Sequence, residues 1–261
     1  MHPTLLIVVD GLRPDALSRA DVPNIQGLLS RGAYSLEART VTPSATLPVH
    51  FSIFTGLKPV DHGVLTNVAP PSLVPGLFSS ARAVGLKTAA FYNWEQLRSL
   101  SNPGDLCASF FLDNAGEPDG DVELARLAAG YFANRAPDLA FVYFGGLDLA
   151  GHAYSFNSTE YLETLGRADR ALGIVLAAWT AAAPVGRVLL LSDHGGCGHD
   201  HVEDRPENMT VPFIAAGPGI RAAWEIKAPV SIPMVRPLIS EWLGLPERTF
   251  GPLSPLAEIY L

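Results

Sequence analysis

Short, unbroken apolar runs alternate along this chain with amphipathic stretches of helical character. TLLIVVD (4–10) is continuously apolar and β-branched, as expected for a strand covered on both faces. Further strands are predicted at 33–41, 87–92 (KTAAFY), 138–146 (DLAFVYFGG), 187–193 (RVLLLSD) and 211–217 (VPFIAAG). Helices are predicted over 23–30, 47–55, 72–84, 122–132, 158–180 and 235–245. Thr46 reads as the N-cap of the second of these, with Pro48 in its first turn. Segments 69–76 and 102–120 are rich in proline, glycine and turn chemistry (NPGD, DNAGEPDG) and read as loops, the second as a mobile excursion. The alternation predicts an α/β fold, with a mostly parallel central sheet flanked by helices on both faces. Neither an internal repeat nor a linker interrupts it, so 1–261 is expected to form one domain.

Three of the apolar runs end in an aspartate, and this changes the picture. Asp10 closes the first, Asp148 follows FVYFGGL, and Asp193 with His194 follows VLLL. Ligands of parallel α/β sheets bind beyond the carboxyl ends of the strands, where these side chains converge. Three ionised carboxylates there repel one another unless a cation neutralises them. Asp148 and His152 stand four apart in DLAGH, so a helical turn puts both on one face. Asp193 and His194 can share an ion only if the chain turns at the strand end. His199 and His201 follow the flexible GGCG segment and can fold back. Mixed carboxylate and imidazole donors suit zinc and other first-row metals better than calcium. Taken singly, an aspartate at a strand end is more often a helix cap or turn residue; the convergence carries the argument. Thr46 adds a hydroxyl at a helix start, where backbone N–H groups favour anions, and a metal would lower its pKa.

Composition narrows the function classes. The 261 residues carry 18 Lys and Arg against 26 Asp and Glu, a formal charge of −8, which argues against binding a nucleic-acid polymer. Hydrophobic residues make up 48% and charged ones 17%, as in a compact globular enzyme. Cys107 and Cys197 allow at most one disulfide. The N-terminal apolar run lacks a basic leader and ends at Asp10, so it reads as a strand rather than a signal peptide. No stretch has the length of a membrane span, and a soluble, cytoplasmic protein is the expectation.

The segments IVVDGLRPDAL (7–17), PSATLPVHFSIFTGLKPVDHGVLTN (43–67), GGLDLAGHAY (145–154) and LSDHGGCGHDHVEDRPENMTVPFIAAGPGI (191–220) together resemble the alkaline phosphatase superfamily, in its type I phosphodiesterase/nucleotide pyrophosphatase branch. The resemblance implies two divalent ions about 4 Å apart, zinc in the usual case, with manganese or iron as alternatives. Asp10, Asp193 and His194 would hold one ion, and Asp148, His152 and His201 the other. Thr46 corresponds to the nucleophile, with Ser44 its rival, and Asn67 to an asparagine that contacts a phosphate oxygen. His201 rather than His199 is the implied ligand because it stands eleven residues before Pro212. His50 and His62 read as structural. Only residues 195–200 separate His194 from His201, where many members insert a cap domain, so the chain looks like a minimal version. The cysteine or serine motif of sulfatases does not occur around Thr46.

The implied activity is hydrolysis of a phosphodiester or pyrophosphate bond in a small phosphorylated substrate. Three aspartates, two divalent ions and a threonine alkoxide sum to zero charge, which favours a diester monoanion over a monoester dianion. Arg13 is the nearest basic residue in a motif. The alternatives are a phosphomonoesterase or carbon–phosphorus hydrolase on the same scaffold, and an inactive metal-binding scaffold.

Overall fold

The computed structural model describes residues 1–68, 74–246 and 254–261. In chain order its strands are β1 (Thr4–Val9), β2 (Gly32–Arg39), β3 (Thr88–Tyr92), β4 (Ala108–Phe111), β5 (Leu139–Phe144), β6 (Arg187–Leu191), β7 (Thr210–Ala216) and β8 (Trp224–Glu225). The helices are α1 (Pro23–Arg31), α2 (Thr46–Thr55), α3 (Pro59–His62), α4 (Leu77–Ala83), α5 (Gly120–Asn134), α6 (Gly146–Tyr154), α7 (Thr159–Ala182), α8 (Pro206–Met209) and α9 (Val235–Leu243). All eight strands join one sheet in the order β4-β3-β5-β1-β6-β7-β2-β8. β4, β3, β5, β1 and β6 run parallel, and β7 is antiparallel to both β6 and β2.

The period-2 rule of a strand sorts the apolar runs onto two faces. Leu5, Ile7 and Val9 of β1 join Ala140, Val142 and Phe144 of β5 in a core beneath α1, α5 and α7. Leu6 and Val8 join Phe141, Tyr143, Leu189 and Leu191 in a second core, covered by α2, α4 and α9. Every residue of β1 is buried because both faces are covered, which is why the run is apolar without alternation. No helix among the described residues is long and apolar enough to cross a membrane.

The predicted elements survive with shifted ends, and several readings need correction. The stretch 102–120 is not an uninterrupted loop: it contains edge strand β4, paired in parallel with β3. Four residues, ASFF, are too few to show a period between turn signals. The predicted helix over 72–84 begins at Leu77, with Gly76 as its N-cap, and its first two positions lie outside the described residues. The run 138–146 gives up its last residue to α6, which opens at Gly146. Thr46 is not an N-cap: Ala45 holds the extended conformation that precedes α2, and Thr46 is already helical. β8 and four short 3₁₀ turns have no counterpart in the sequence reading.

Candidate active site

The three aspartates, Asp10, Asp148 and Asp193, follow neighbouring strands, Asp148 from the first turn of α6. β5, β1 and β6 lie side by side, with Val9 opposite Phe144 and Val8 opposite Leu191. Neighbouring strands lie about 4.8 Å apart, so side chains just past these ends are brought together by the sheet itself. Asp10 and Asp193 continue the strand parity that faces α2, and Thr46 at the start of α2 completes that side. All four residues are buried.

Backbone geometry beyond β6 supplies the turn that Asp193 and His194 need. Ser192 Oγ sits 2.8 Å from Val9 O and 2.7 Å from His194 O, and accepts from Leu12 N at 2.8 Å. Asp193 Oδ1 accepts from the N–H groups of His194 at 3.0 Å and Gly11 at 3.3 Å. This leaves Asp193 Oδ2 facing inward. Glycine is required next. A Cβ on Gly195 would lie 2.0 Å from Glu207 O, because the loop runs against the backbone of α8, with Gly195 N donating to Asn208 O. Gly195→Ala must therefore push the loop that carries His194 away from α8, an overpacking worth about 1–3 kcal/mol. The expected result is a folded protein with lower ion uptake, read by circular dichroism and elemental analysis; normal ion content would show that the loop tolerates the shift.

The histidines share one arrangement. His194 Nδ1 lies 2.9 Å from Gly195 O, His201 Nδ1 2.7 Å from Ser44 O, and His152 Nδ1 2.7 Å from His199 O. A carbonyl only accepts, so each Nδ1 carries the proton and donates it. In the neutral ring Nε2 is then a bare lone pair. His194 Nε2 stands 3.2 Å from Asp10 Oδ1, 3.4 Å from Asp193 Oδ2 and 3.4 Å from Thr46 Oγ1. His152 Nε2 is 3.3 Å from Asp148 Oδ2, and His201 Nε2 is 3.9 Å from Asp148 Oδ1. Asp10 Oδ1, Asp148 Oδ1 and Asp193 Oδ2 are buried without a hydrogen-bond partner. His152 shares a proton with Asp148, whereas the Nε2 atoms of His194 and His201 face carboxylate oxygens that have no hydrogen-bond partner, and divalent cations fit that donor set. Two groups of donor atoms each lie within 4.8 Å of one another: Asp10 with Asp193 and His194, and Asp148 with His194 and His201. His152 adjoins the second group through Asp148.

The electrostatics follow. Burial, reinforced by the charges of Asp193 and Asp148, pushes the Asp10 carboxyl well above the ordinary carboxylate range. Burial acts on Asp148 in the same direction. There the hydrogen bond from His152 and the charges of His194, His201 and His152 outweigh it and hold the carboxyl low. The bond to Asp148 raises His152 to about 9, whereas burial lowers His201 to about 4.

The other candidates fall into place around this centre. His199 is exposed, with its ring on His152 O, while the His201 ring stacks on His194 at 3.7 Å. Ser44 donates to His201 O, so its hydroxyl is engaged away from Thr46. Asn67 Oδ1 accepts from Leu47 N at 2.9 Å and so caps α2, the task expected of Thr46. Arg13 is held by Asp15 and by Gly196 O, at 2.6 Å. His50 Nδ1 donates to Thr46 O at 2.7 Å, beneath the first turn of α2. His62 pairs with Ser52 Oγ at 3.1 Å. Sequence reasoning passed over Tyr143, whose hydroxyl donates to Asp10 Oδ2, and Ser192. The signal for Tyr143 was its polar tip in an apolar run, in the strand parity that leads to Asp10.

A family model described as type I phosphodiesterase/nucleotide pyrophosphatase matches residues 4–73 and 75–210. The chain belongs to this family. Among curated relatives, the bis(5'-adenosyl)-triphosphatase of Mus musculus is 25% identical over 73% of this chain and 46% of its own length. Ectonucleotide pyrophosphatase/phosphodiesterase family member 1 of Homo sapiens is 28% identical over 74% of this chain and 23% of its own length. The chain therefore spans about half or less of these relatives. Murine ectonucleotide pyrophosphatase/phosphodiesterase 5, solved as an inactive threonine-to-alanine variant in complex with AMP, superposes with a TM-score of 0.83 at 14% identity, covering 100% of both chains. A 2-O GAG sulfatase superposes with a TM-score of 0.76 at 16% identity, over 95% of this chain and 72% of that one. Likeness at such identities establishes the shared fold, and phosphodiesterase-family and sulfatase chains both carry it.

Proposed function

We propose that residues 1–261 form one catalytic domain that hydrolyses a phosphodiester or pyrophosphate bond in a small, nucleotide-like substrate, with Thr46 as nucleophile. The observation that carries this reading is the convergence of His152, His194 and His201 with three buried aspartates, with His194 Nε2 3.4 Å from the hydroxyl at the start of α2. Asp10, Asp193 and His194 would hold one divalent ion and Asp148, His152 and His201 a second, zinc being the best match to the donors. When bound, such ions lower the pKa of a nearby hydroxyl and offset charge on a phosphoryl group. Family membership and the names of the relatives support the reaction class, and the AMP-bound neighbour supports a nucleotide-like substrate.

Thr46 Oγ1 is held at the helix start by His50 beneath it, which bonds its carbonyl. The Thr46 proton passes to solvent water, which returns one to the leaving oxygen, and Oγ1 attacks phosphorus in line. The Oγ–P bond forms as the P–O bond to the leaving group breaks. Water then cleaves the phosphothreonine ester and restores the hydroxyl. The start of α2 contributes partial positive charge toward the equatorial oxygens. With Arg13 committed to Asp15 and Gly196, the site draws no cation from that motif to hold a dianion.

Zinc-loaded protein is accordingly expected to hydrolyse bis-p-nitrophenyl phosphate at least about tenfold faster, by kcat/KM, than p-nitrophenyl phosphate, a difference of about 1.4 kcal/mol in transition-state stabilisation. The reverse preference would assign a phosphomonoesterase. Failure to turn over either ester with ions bound would leave a metal-binding scaffold and overturn the proposal.

A further inference from the structure

α6 delivers Asp148 and His152, yet its own start has no side-chain cap: Gly145 precedes it without one. The exposed N–H groups of a helix start need partners from elsewhere. They find them in two buried residues from other elements. Asn93, just past β3, accepts from Gly145 N through Oδ1 at 3.0 Å. Its Nδ2 donates to Asp121 Oδ1, at the start of α5, at 2.8 Å. The two bonds fix the orientation of the amide, since only its oxygen can accept from Gly145. The N–H groups of Gly145 and Gly146 also stabilise the Asp121 carboxylate. Asn93 and Asp121 are 3% and 7% exposed.

Packing at this junction is tight. A Cβ on Gly145 would stand 3.1 Å from Asn93 Oδ1, and one on Gly146 would stand 2.9 Å from Asp121 Oδ2. The glycines let the amide and the carboxylate press directly on the backbone at the start of α6. An anion at that end also suits the helix dipole. Burial pushes the Asp121 carboxyl up to about 6, so keeping it ionised at neutral pH opposes folding. A buried carboxylate bonded to the start of α6 both directly and through Asn93 fits a positioning role.

We propose that Asn93 and Asp121 form a buried clamp that sets the placement of α6, and through it the ion position formed by Asp148, His152 and His201, while leaving the Asp10, Asp193 and His194 position alone. The inference rests on the two-ion reading above. Asp10, Asp193 and His194 follow β1 and β6, and among the described residues no hydrogen bond joins them to Asn93 or Asp121.

The test uses full-length protein stripped of metal and titrated with zinc by calorimetry, with bound metal counted by elemental analysis. Wild type is expected to take up two ions. Asp121→Asn and Asn93→Ala are expected to keep one ion at wild-type affinity and to bind the other about 10–100-fold more weakly. His152→Ala identifies the weakened step by removing it. Diesterase kcat in the clamp variants should recover as zinc is raised. If both variants bind both ions as wild type does and only melt earlier, the clamp is merely structural and the proposal falls. Equal weakening of both steps also overturns it. Should Asp121→Asn fail to fold, Asn93→Ala, which retains the carboxylate, decides alone. Fewer than two ions in wild type would overturn the two-ion reading, and the clamp with it, whereas normal binding in the variants overturns the clamp alone.

Discussion

Thr46→Ala should keep two ions per chain and lose diester turnover by about 10³-fold or more, the scale seen when an enzyme nucleophile is removed. All six proposed ion ligands remain in the variant. The start of α2 also remains capped, because Asn67 rather than Thr46 supplies the acceptor for Leu47 N. The side chain is small, so little packing is lost. Elemental analysis and steady-state hydrolysis of bis-p-nitrophenyl phosphate check the two halves separately. Turnover near the wild-type rate would end the case for Thr46. Loss of both ions together with activity would make the hydroxyl chiefly a ligand.

The second large effect concerns the ions themselves. Removing them with a chelator should abolish turnover and lower thermal stability, because buried carboxylates at the strand ends then lose their cation. A ligand present at about 100 times its Kd stabilises by about 2.7 kcal/mol per site, so the melting temperature should fall by about 5 °C or more. The size of the drop should depend on pH, and the sign can be worked out. Asp10 has a raised pKa in the fold, so the metal-free protein loses stability as pH climbs from the ordinary carboxylate range through that raised value. His152 is raised to about 9, so its contribution is complete below the ordinary histidine range and disappears as pH rises through about 9. Its ring is 40% exposed, and water reduces that contribution. Asp148 acts the opposite way, but only under acid conditions. The gap in melting temperature between loaded and stripped protein should therefore widen from about pH 6.5 to about pH 9. Differential scanning calorimetry across that range checks it, and a gap that narrows would contradict this assignment of charges.

The apolar runs made the sheet legible because a strand covered on both faces has no freedom to be polar, and β1, β5 and β6 are such strands. Their terminal aspartates stood out for the same reason: each is a charge where the preceding run excludes charge. What stayed hidden depends on partners far away in sequence. Strand β4 is too short to show a period and exists because β3 offers it an edge. Thr46 looked like a cap because threonine often is one, and only the distant Asn67 reveals that the task belongs elsewhere. Asn93 ends β3 much as Asp10 ends β1, but an uncharged residue raises no alarm about repulsion. Which ring the loop after β6 carries inward was hidden too: it is His201 that stacks on His194, a contact that spacing does not show.

The order of the strands has a consequence for how the pocket is put together. The middle three strands are contributed by the first, the middle and the later parts of the polypeptide. The pocket therefore needs residues from Asp10 to His201, and a product that stops at Leu191 retains two of the three carboxylates but only one of the three imidazoles. The site is thus a property of the assembled sheet and not of any one segment, since no fragment short of all three strands carries its full donor set.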